Sequence, residues 1–299
     1  MYSRPQRVFR AAIEVRGQES RPGSSTKPNE DFCGYQVDDQ SGLIRIALLD
    51  GATDVSGIDY QEMGMDSPPR WYARHGVPVA LQKMAQAHPN LRVAASETIS
   101  SMRDLWSAQT DYQPDRLPHY AQPAAAGILT DIDVSEGLVK SVLLADCSLL
   151  IRNESGGMHA FHGSHNTSHL KASYDAAASD LTQGQYVREI GRNAPDRSGY
   201  GAFSLEPHAV SNYAQSVCFG LRNGANDILV ATDGFMRPVN DYNLWSEADL
   251  WTKLDQGGIT GVIDEIRRIE AGDTGYEGSK KSDDATALWI RVNALDVSP

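Results

Sequence analysis

Short apolar runs bounded by polar residues dominate the first fifty residues. Residues 8–15 are strand-like, and the segment 17–28, rich in Ser, Gly and Pro, predicts a polar loop. The apolar runs 32–37 and 43–49 are separated by a short polar turn, which is typical of a hairpin. The second run leads directly into Asp50-Gly51.

Apolar residues recur at helical spacing over 78–109, which predicts two helices. Residues 128–132 and 138–151 then predict two strand segments divided by a polar turn. The stretch 153–201 has few large apolar residues, so we predict loops and a surface insertion there, with one helix at about 181–192.

The last third returns to strands and helices. Residues 216–221, 227–232 and 287–292 are predicted strands, and helical spacing covers 247–254 and 262–270. Strands therefore lie early, centrally and late, with helices in pairs between them. This order predicts a layered α+β domain with antiparallel sheets, spanning 1–299 without internal repeat or linker.

Composition places the chain among soluble proteins of a reducing compartment. The sequence is 40% hydrophobic, enough for a sizeable core, and has neither a signal-peptide pattern nor a twenty-residue apolar run. Its three cysteines are far apart and fit no disulfide framework, no CxxC metal site and no Cys-x5-Arg phosphatase loop. We expect a cytoplasmic protein that does not act at a membrane.

The formal net charge of −12 makes nucleic acid an unfavourable partner. Such an excess of carboxylates suits cation binding, although an acidic surface also serves solubility alone. Charge therefore permits a metal site without indicating one.

Several carboxylates lie where an apolar run ends or begins. Asp50 and Asp233 each end one and precede a glycine, whose carbonyl could serve as an additional oxygen ligand. Asp283 precedes the last strand, and Glu30-Asp31 precedes the first hairpin. Mg²⁺ and Mn²⁺ prefer such oxygen ligands. Each motif alone is equally typical of an ordinary turn, since Asp-Gly is a common turn dipeptide.

The order of these motifs carries more information than any one of them. NEDF, LLDGAT, LLADCSLLIR, VATDGF and SDDATAL follow one another as in the metal-dependent type 2C serine/threonine protein phosphatases, and the chain resembles a divergent bacterial member over about residues 8–293. The resemblance implies a four-layer α/β/β/α sandwich with two central antiparallel sheets. Insertion or flap loops are then expected at about 54–77 and 153–201.

The resemblance also implies a site for two Mn²⁺ or Mg²⁺ ions and a weaker third. A water bridging two ions would attack phosphorus directly, with Asp50 and Asp233 as the catalytic carboxylates. The implied ligands are Asp50 as the bridge, Glu30 and the carbonyl of Gly51 at one ion, Asp233 and Asp283 at the other, Asp31 through water, and Asp146 for the third ion.

The pattern departs from the family at the substrate side. Thr26 stands where members usually have a phosphate-binding arginine, and Lys27, then Arg21, are the nearest replacements, although either could equally be an ordinary surface cation. Ala52 replaces a histidine that eukaryotic members carry, and Asp284 replaces an asparagine. These changes leave the metal carboxylates in place and put the substrate class in question.

A cluster of four histidines raises a separate metal hypothesis. His159, His162, His165 and His169 lie close together, but the surrounding Gly, Ser and Asn favour a flexible polar loop over a zinc site.

Three functions remain open from the sequence. The leading one is hydrolysis of phosphoserine and phosphothreonine on proteins, in bacterial signalling opposite a cognate serine/threonine kinase. The second is a phosphatase of a small phosphorylated metabolite on the same site. The third is a catalytically silent regulatory domain, against which the intact Glu30, Asp50, Asp233 and Asp283 argue.

Overall fold

A computed structural model of the chain describes residues 13–38, 40–58, 60, 67–164, 167–174, 176–177, 179–221, 224–272 and 281–293. The strands are β1 (Ile13–Arg21), β2 (Asp31–Asp38), β3 (Leu43–Gly51), β4 (Ala125–Asp133), β5 (Leu138–Leu144), β6 (Ser148–Asn153), β7 (Met158–His162), β8 (Gln215–Gly220), β9 (Ala225–Ala231) and β10 (Ala285–Asn293). The α-helices are α1 (Pro68–Ala87), α2 (Leu91–Gln109), α3 (Ser168–Tyr174), α4 (Gln183–Gly191), α5 (Ala209–Tyr213), α6 (Asp233–Asn240) and α7 (Glu247–Ala271).

The strands form two antiparallel sheets that face each other. One has the order β1-β10-β9-β6-β7 and the other β2-β3-β4-β5-β8. Buried side chains from both, including Ile128 and Leu149, form the layer between them. Helices α1 and α2 pack on the outer face of the second sheet, and α6 and α7 on that of the first. The predicted α/β/β/α sandwich is confirmed.

Strand β1 runs further than the sequence predicted. Residues 17–21, expected as the start of a loop, pair with β10 as far as Arg21 opposite Ala285. Their polar composition reflects an edge position, because an edge strand keeps many side chains in solvent. Residues 8–12 of the predicted strand lie outside the described residues.

The apolar run 138–151, predicted as one segment, is broken in the structure. Ala145 has a positive φ of 62°, and the chain passes there from β5 in one sheet to β6 in the other. Both strands are buried, so the sequence stays apolar across the crossing and hides it from periodicity. Asp146 lies directly after this break, between β5 and β6.

Two helices were predicted over 78–109, and two are present, but α1 begins ten residues early. The Ser67 hydroxyl accepts a hydrogen bond from the Arg70 amide, 3.3 Å away, and Pro68 and Pro69 take the first helical positions. The helix continues through Pro78, where the prediction began. None of the helices in the described ranges combines the length and apolar character that a membrane span requires.

The two late predicted helices form α7, in which Gly258 has a φ of 64° at a kink between two halves. Helix α6 was not predicted, because its eight residues contain Pro238 and follow Asp-Gly, a turn signal.

Residues 153–201 are more ordered than the loops that we predicted. Helix α4 confirms the predicted helix, with a capping box between Thr182 and Gln185, whereas β7 and α3 were not predicted. His159 and His162 lie on β7, so a flexible loop was the wrong interpretation for them. Nδ1 of His162 is 2.8 Å from the Ser148 hydroxyl, and Nε2 of His169 is 2.7 Å from the Ser198 carbonyl. His165 lies outside the described residues.

The three thiols are free, as expected from their spacing. Cys147 is buried, Cys33 is partly buried and Cys218 is exposed.

Candidate functional site

The β2–β3 hairpin brings two of the predicted carboxylates together. Asp31 begins β2 and is the register partner of Asp50 near the end of β3. The Asp31 side chain is only 2% exposed, and neither of its carboxylate oxygens has a hydrogen-bond donor among the described residues. A buried carboxyl without such a donor is stable when it is protonated or when a cation meets it.

Gly51 allows the end of β3 to approach Glu30. Its amide donates to the Glu30 carbonyl over 3.2 Å, and a Cβ at residue 51 would lie 2.8 Å from the Glu30 Cβ. The Glu30 carboxylate accepts a hydrogen bond from the hydroxyl of Ser67, the N-cap of α1. The sequence reasoning missed Ser67, whose only local signal was a helix-capping serine before Pro-Pro.

The other sheet delivers Asp233 and Asp283. Asp233 is the first residue of α6, which follows β9, and Asp283 lies just before β10. The chain is tight here, because a Cβ at Gly234 would lie 1.9 Å from the Asp284 carbonyl oxygen. Glycine therefore permits the two segments to touch.

Asp284 connects the two halves of the site. Its carboxylate accepts hydrogen bonds from the amides of Gly23, over 2.7 Å, and Glu30, over 2.6 Å. This side chain ties the loop before β2 to the start of β10. The sequence showed Asp284 only as a departure from the family pattern, so its positioning role was not predicted.

The pKa shifts show that the charges of these carboxylates act on one another. Burial raises the pKa of Asp50 well above its usual value, and the negative charges of Asp31, Asp233 and Asp283 raise it further. Burial, followed by the charge of Asp284, likewise raises the pKa of Asp31. Asp50 and Asp31 therefore resist ionisation, first because they are buried and then because their neighbours are acidic.

The thiol of Cys147 extends this neighbourhood to Asp146. Burial raises the pKa of Cys147, and the charges of Asp50, Asp146 and Asp233 add to the shift. Asp146 is half-buried at the β5–β6 crossing. The structure thus brings it to the same end of the sandwich as the other acids.

A cavity of about 450 Å³ opens beside these acids, and its lining includes Glu30, Asp283 and Asp284. Of the two basic candidates, Lys27 lines the cavity, together with Lys281, which the sequence reasoning did not consider. Arg21 does not line it, because its guanidinium pairs with Glu19 and with Asp264 on α7.

The donor set suits a hard divalent cation. Within the described ranges, no three His, Cys, Asp or Glu side chains already stand together as a ligand set. Asp31 nevertheless has two buried carboxylate oxygens without donors, and Asp50 lies opposite it among further acids. Oxygen donors of this kind are those that Mg²⁺ and Mn²⁺ prefer, and a bound cation would offset the mutual repulsion.

Comparison with known proteins rests on structure, because no protein-family model and no curated protein sequence matches the chain. A C. elegans sex-determining protein has a TM-score of 0.58 at 13% identity, covering 94% of this chain, which spans 65% of that protein. An S. agalactiae serine/threonine phosphatase has a TM-score of 0.56 at 14% identity, covering 93% of this chain and 98% of the other. The Mycobacterium tuberculosis serine/threonine phosphatase PstP has a TM-score of 0.52 at 13% identity, covering 94% and 99%, and the PstP catalytic domain also matches in complex with two manganese ions.

At sequence identities this low, the structural matches establish the architecture that the chains share and nothing finer. The two five-stranded sheets with flanking helices are those of the type 2C phosphatases, as the order of the sequence motifs predicted.

Proposed function

From the fold that this chain shares with the type 2C phosphatases, we propose that it hydrolyses phosphate monoesters with the help of divalent cations. The observation that carries this proposal is the pairing of Asp31 with Asp50 in the β2–β3 hairpin, where the charges of Asp233 and Asp283 also raise the pKa of Asp50. Asp31 is buried and Asp50, Asp233 and Asp283 are partly buried, and acids crowded in this way are typical of a functional site.

The residues that would hold two cations are those at the two strand ends. Asp50 would contact both, Glu30 and the Gly51 carbonyl one, and Asp233 and Asp283 the other. Asp31 would act through water, and Asp146 would serve a third ion. The matched PstP structure with two manganese ions supports this proposal by its fold. Such cations supply an activated water and neutralise charge on a phosphoryl group when bound.

Several side chains orient the proposed ligands, and a lysine places positive charge at the site. Ser67 restrains the Glu30 carboxylate, and Asp284 holds the loop that carries Glu30 through two backbone amides. Lys27 places a positive charge at the cavity, where a phosphate dianion would enter. Arg21 pairs with Asp264 and Glu19, so we assign the phosphate contact to Lys27 in this proposal.

We further propose that the substrate is phosphoserine or phosphothreonine on a protein, opposite a serine/threonine kinase. The cavity is open to solvent and polar, which suits a phosphorylated side chain on a larger partner. The structural matches named serine/threonine phosphatases support the same class.

The test is hydrolysis of an aryl phosphate with Mn²⁺, with Mg²⁺ and with EDTA. We expect metal-dependent turnover that Asp50→Asn and Asp233→Asn reduce by at least about a hundredfold, since each removes a charged ligand. Asp115→Asn is the matched control, because that carboxylate is 84% exposed and pairs only with Arg103 among the described residues.

Phosphopeptides and a panel of phosphorylated metabolites then separate the substrate classes. Preference for one metabolite would replace the protein-phosphatase proposal. Absence of turnover with every metal would refute the enzymatic proposal and leave the silent regulatory domain.

A further inference from the structure

Helix α4 lies against the wall of the acidic cavity. Nε2 of Gln185 donates to the Val55 carbonyl over 2.9 Å, and Nη1 of Arg188 donates to the Thr53 carbonyl. Thr53 and Asp54 both line the cavity. The helix therefore carries a guanidinium to the segment that follows Asp50-Gly51.

The acceptor that the guanidinium of Arg188 meets in the described part of the chain is the neutral backbone carbonyl of Thr53. Burial lowers the pKa of Arg188, and the charges of Tyr200, Asp54 and Glu30 oppose that shift. A partly buried guanidinium is costly unless an anion meets it, and its remaining N–H groups are suited to a planar or tetrahedral oxyanion.

Arg192, one turn further along the chain, adds to the positive charge. It is 2% exposed, and its Nε and Nη2 atoms have no hydrogen-bond partner in the described residues. Burial lowers the pKa of Arg192, and repulsion from Arg188 contributes to that shift. The end of α4 thus carries Arg188, Glu189 and Arg192, which leaves a net positive charge beside the Thr53 segment.

We propose that Arg188 binds the phosphate of the substrate, so that α4 adds a guanidinium beside a cavity whose lining combines acids with Lys27 and Lys281. This inference rests on the proposed function. It assigns to the segment 153–201 a part in substrate binding, with Lys27 approaching the same cavity from the loop before β2. Arg188 offers a forked donor set for a phosphate, whereas Lys27 offers a single charge.

The test measures binding of inorganic phosphate by calorimetry in the presence and absence of Mn²⁺, together with KM and kcat for an aryl phosphate. Arg188→Gln is expected to weaken phosphate binding and raise KM by about tenfold or more, with a smaller change in kcat. Arg188→Lys, which keeps the charge without the fork, is expected to fall between Arg188→Gln and the wild type.

Two control variants separate charge from anchoring. Gln185→Ala removes the neighbouring contact of α4 with Val55 but keeps the guanidinium, and Arg197→Gln removes an exposed arginine of the same segment. Both should bind phosphate as the wild type does. Equal weakening in Gln185→Ala and Arg188→Gln would overturn the proposal, because anchoring of the wall would then explain both.

The failures remain distinguishable. A wild type that turns over substrate, with phosphate affinity unchanged in Arg188→Gln, refutes the role of Arg188 alone. A wild type without turnover refutes the enzymatic proposal, while loss of phosphate binding in Arg188→Gln would still support the anion contact. If thermal unfolding shows that Arg188→Gln is not folded, Arg188→Lys becomes the test variant. Unchanged phosphate affinity in Arg188→Lys then overturns the proposal.

Discussion

Gly234 and Asp284 show how single residues shape the candidate site. The glycine lets α6 start against the segment before β10, and Asp284 uses its carboxylate to hold Gly23 and Glu30. Neither residue is a proposed cation ligand. Both set the distances between the carboxylates that are proposed as ligands.

Gly234→Ala should destabilise the protein and weaken divalent-cation binding. A Cβ there would lie 1.9 Å from a backbone oxygen of Asp284, so the backbone must shift, at a cost of about 2 kcal/mol. Thermal unfolding with and without Mn²⁺ measures both effects. Gly257→Ala is the control, because nothing lies within 4 Å of a Cβ at that position of α7, and it should be neutral or stabilising by about 0.5–1 kcal/mol.

At the scale of elements, Asp227 joins three strands of one sheet. It lies on β9 directly opposite Arg152 on β6 and Arg291 on β10, and its carboxylate accepts hydrogen bonds from both and from Trp289. Burial tends to raise the pKa of Asp227, but these hydrogen bonds outweigh it and hold the pKa below its ordinary value. The ionised carboxylate therefore stabilises the sheet.

Asp227→Asn should lower the free energy of unfolding by about 3 kcal/mol at neutral pH, since it leaves two arginines without their shared buried anion. Because the folded-state pKa is depressed, the wild-type advantage is present above about pH 4 and is lost as the pH falls through the folded pKa. Denaturant unfolding at several pH values measures it.

The comparison variant for this prediction is Asp255→Asn. Asp255 pairs with the same Arg152 but is 47% exposed, so its loss should cost less than about 1 kcal/mol. An equal loss in both variants would contradict the role assigned to Asp227.

At the scale of the whole molecule, the two sheets meet in one apolar layer that fixes where the strand ends lie. Leu149 on β6 is fully buried in this layer, near the crossing that carries Asp146. The acids from β3, β9 and β10 come together because this layer aligns the two sheets. Packing between the sheets therefore determines the geometry of the cavity.

Leu149→Ala should lower the free energy of unfolding by about 3 kcal/mol, through lost apolar burial and the cavity left behind. Denaturant titration measures this loss. Leu244→Ala, at a position 54% exposed, should stay within about 0.5 kcal/mol of the wild type. If the two variants lost the same stability, the inter-sheet layer would not be the core that the structure indicates.

The sequence by itself determined the local features, which are most of the strands, the helix pair before β4 and the acids that border strands. These features can be recognised within a few residues, because an apolar run next to a carboxylate and a glycine forms a distinct pattern. The order of five motifs along the chain then showed the resemblance to the type 2C phosphatases, and that resemblance implied the four-layer sandwich.

Only the tertiary structure decided which residues meet. The crossing at Ala145, the bonds of Asp284 to Gly23 across 261 residues of chain, and the docking of α4 on Thr53 have no periodic signal. Such contacts depend on shape, burial and charge between segments distant in sequence, and their partners are chosen only when the layers pack. This is why the acids could be named from the sequence, whereas Ser67 and Arg188 were found only in the fold.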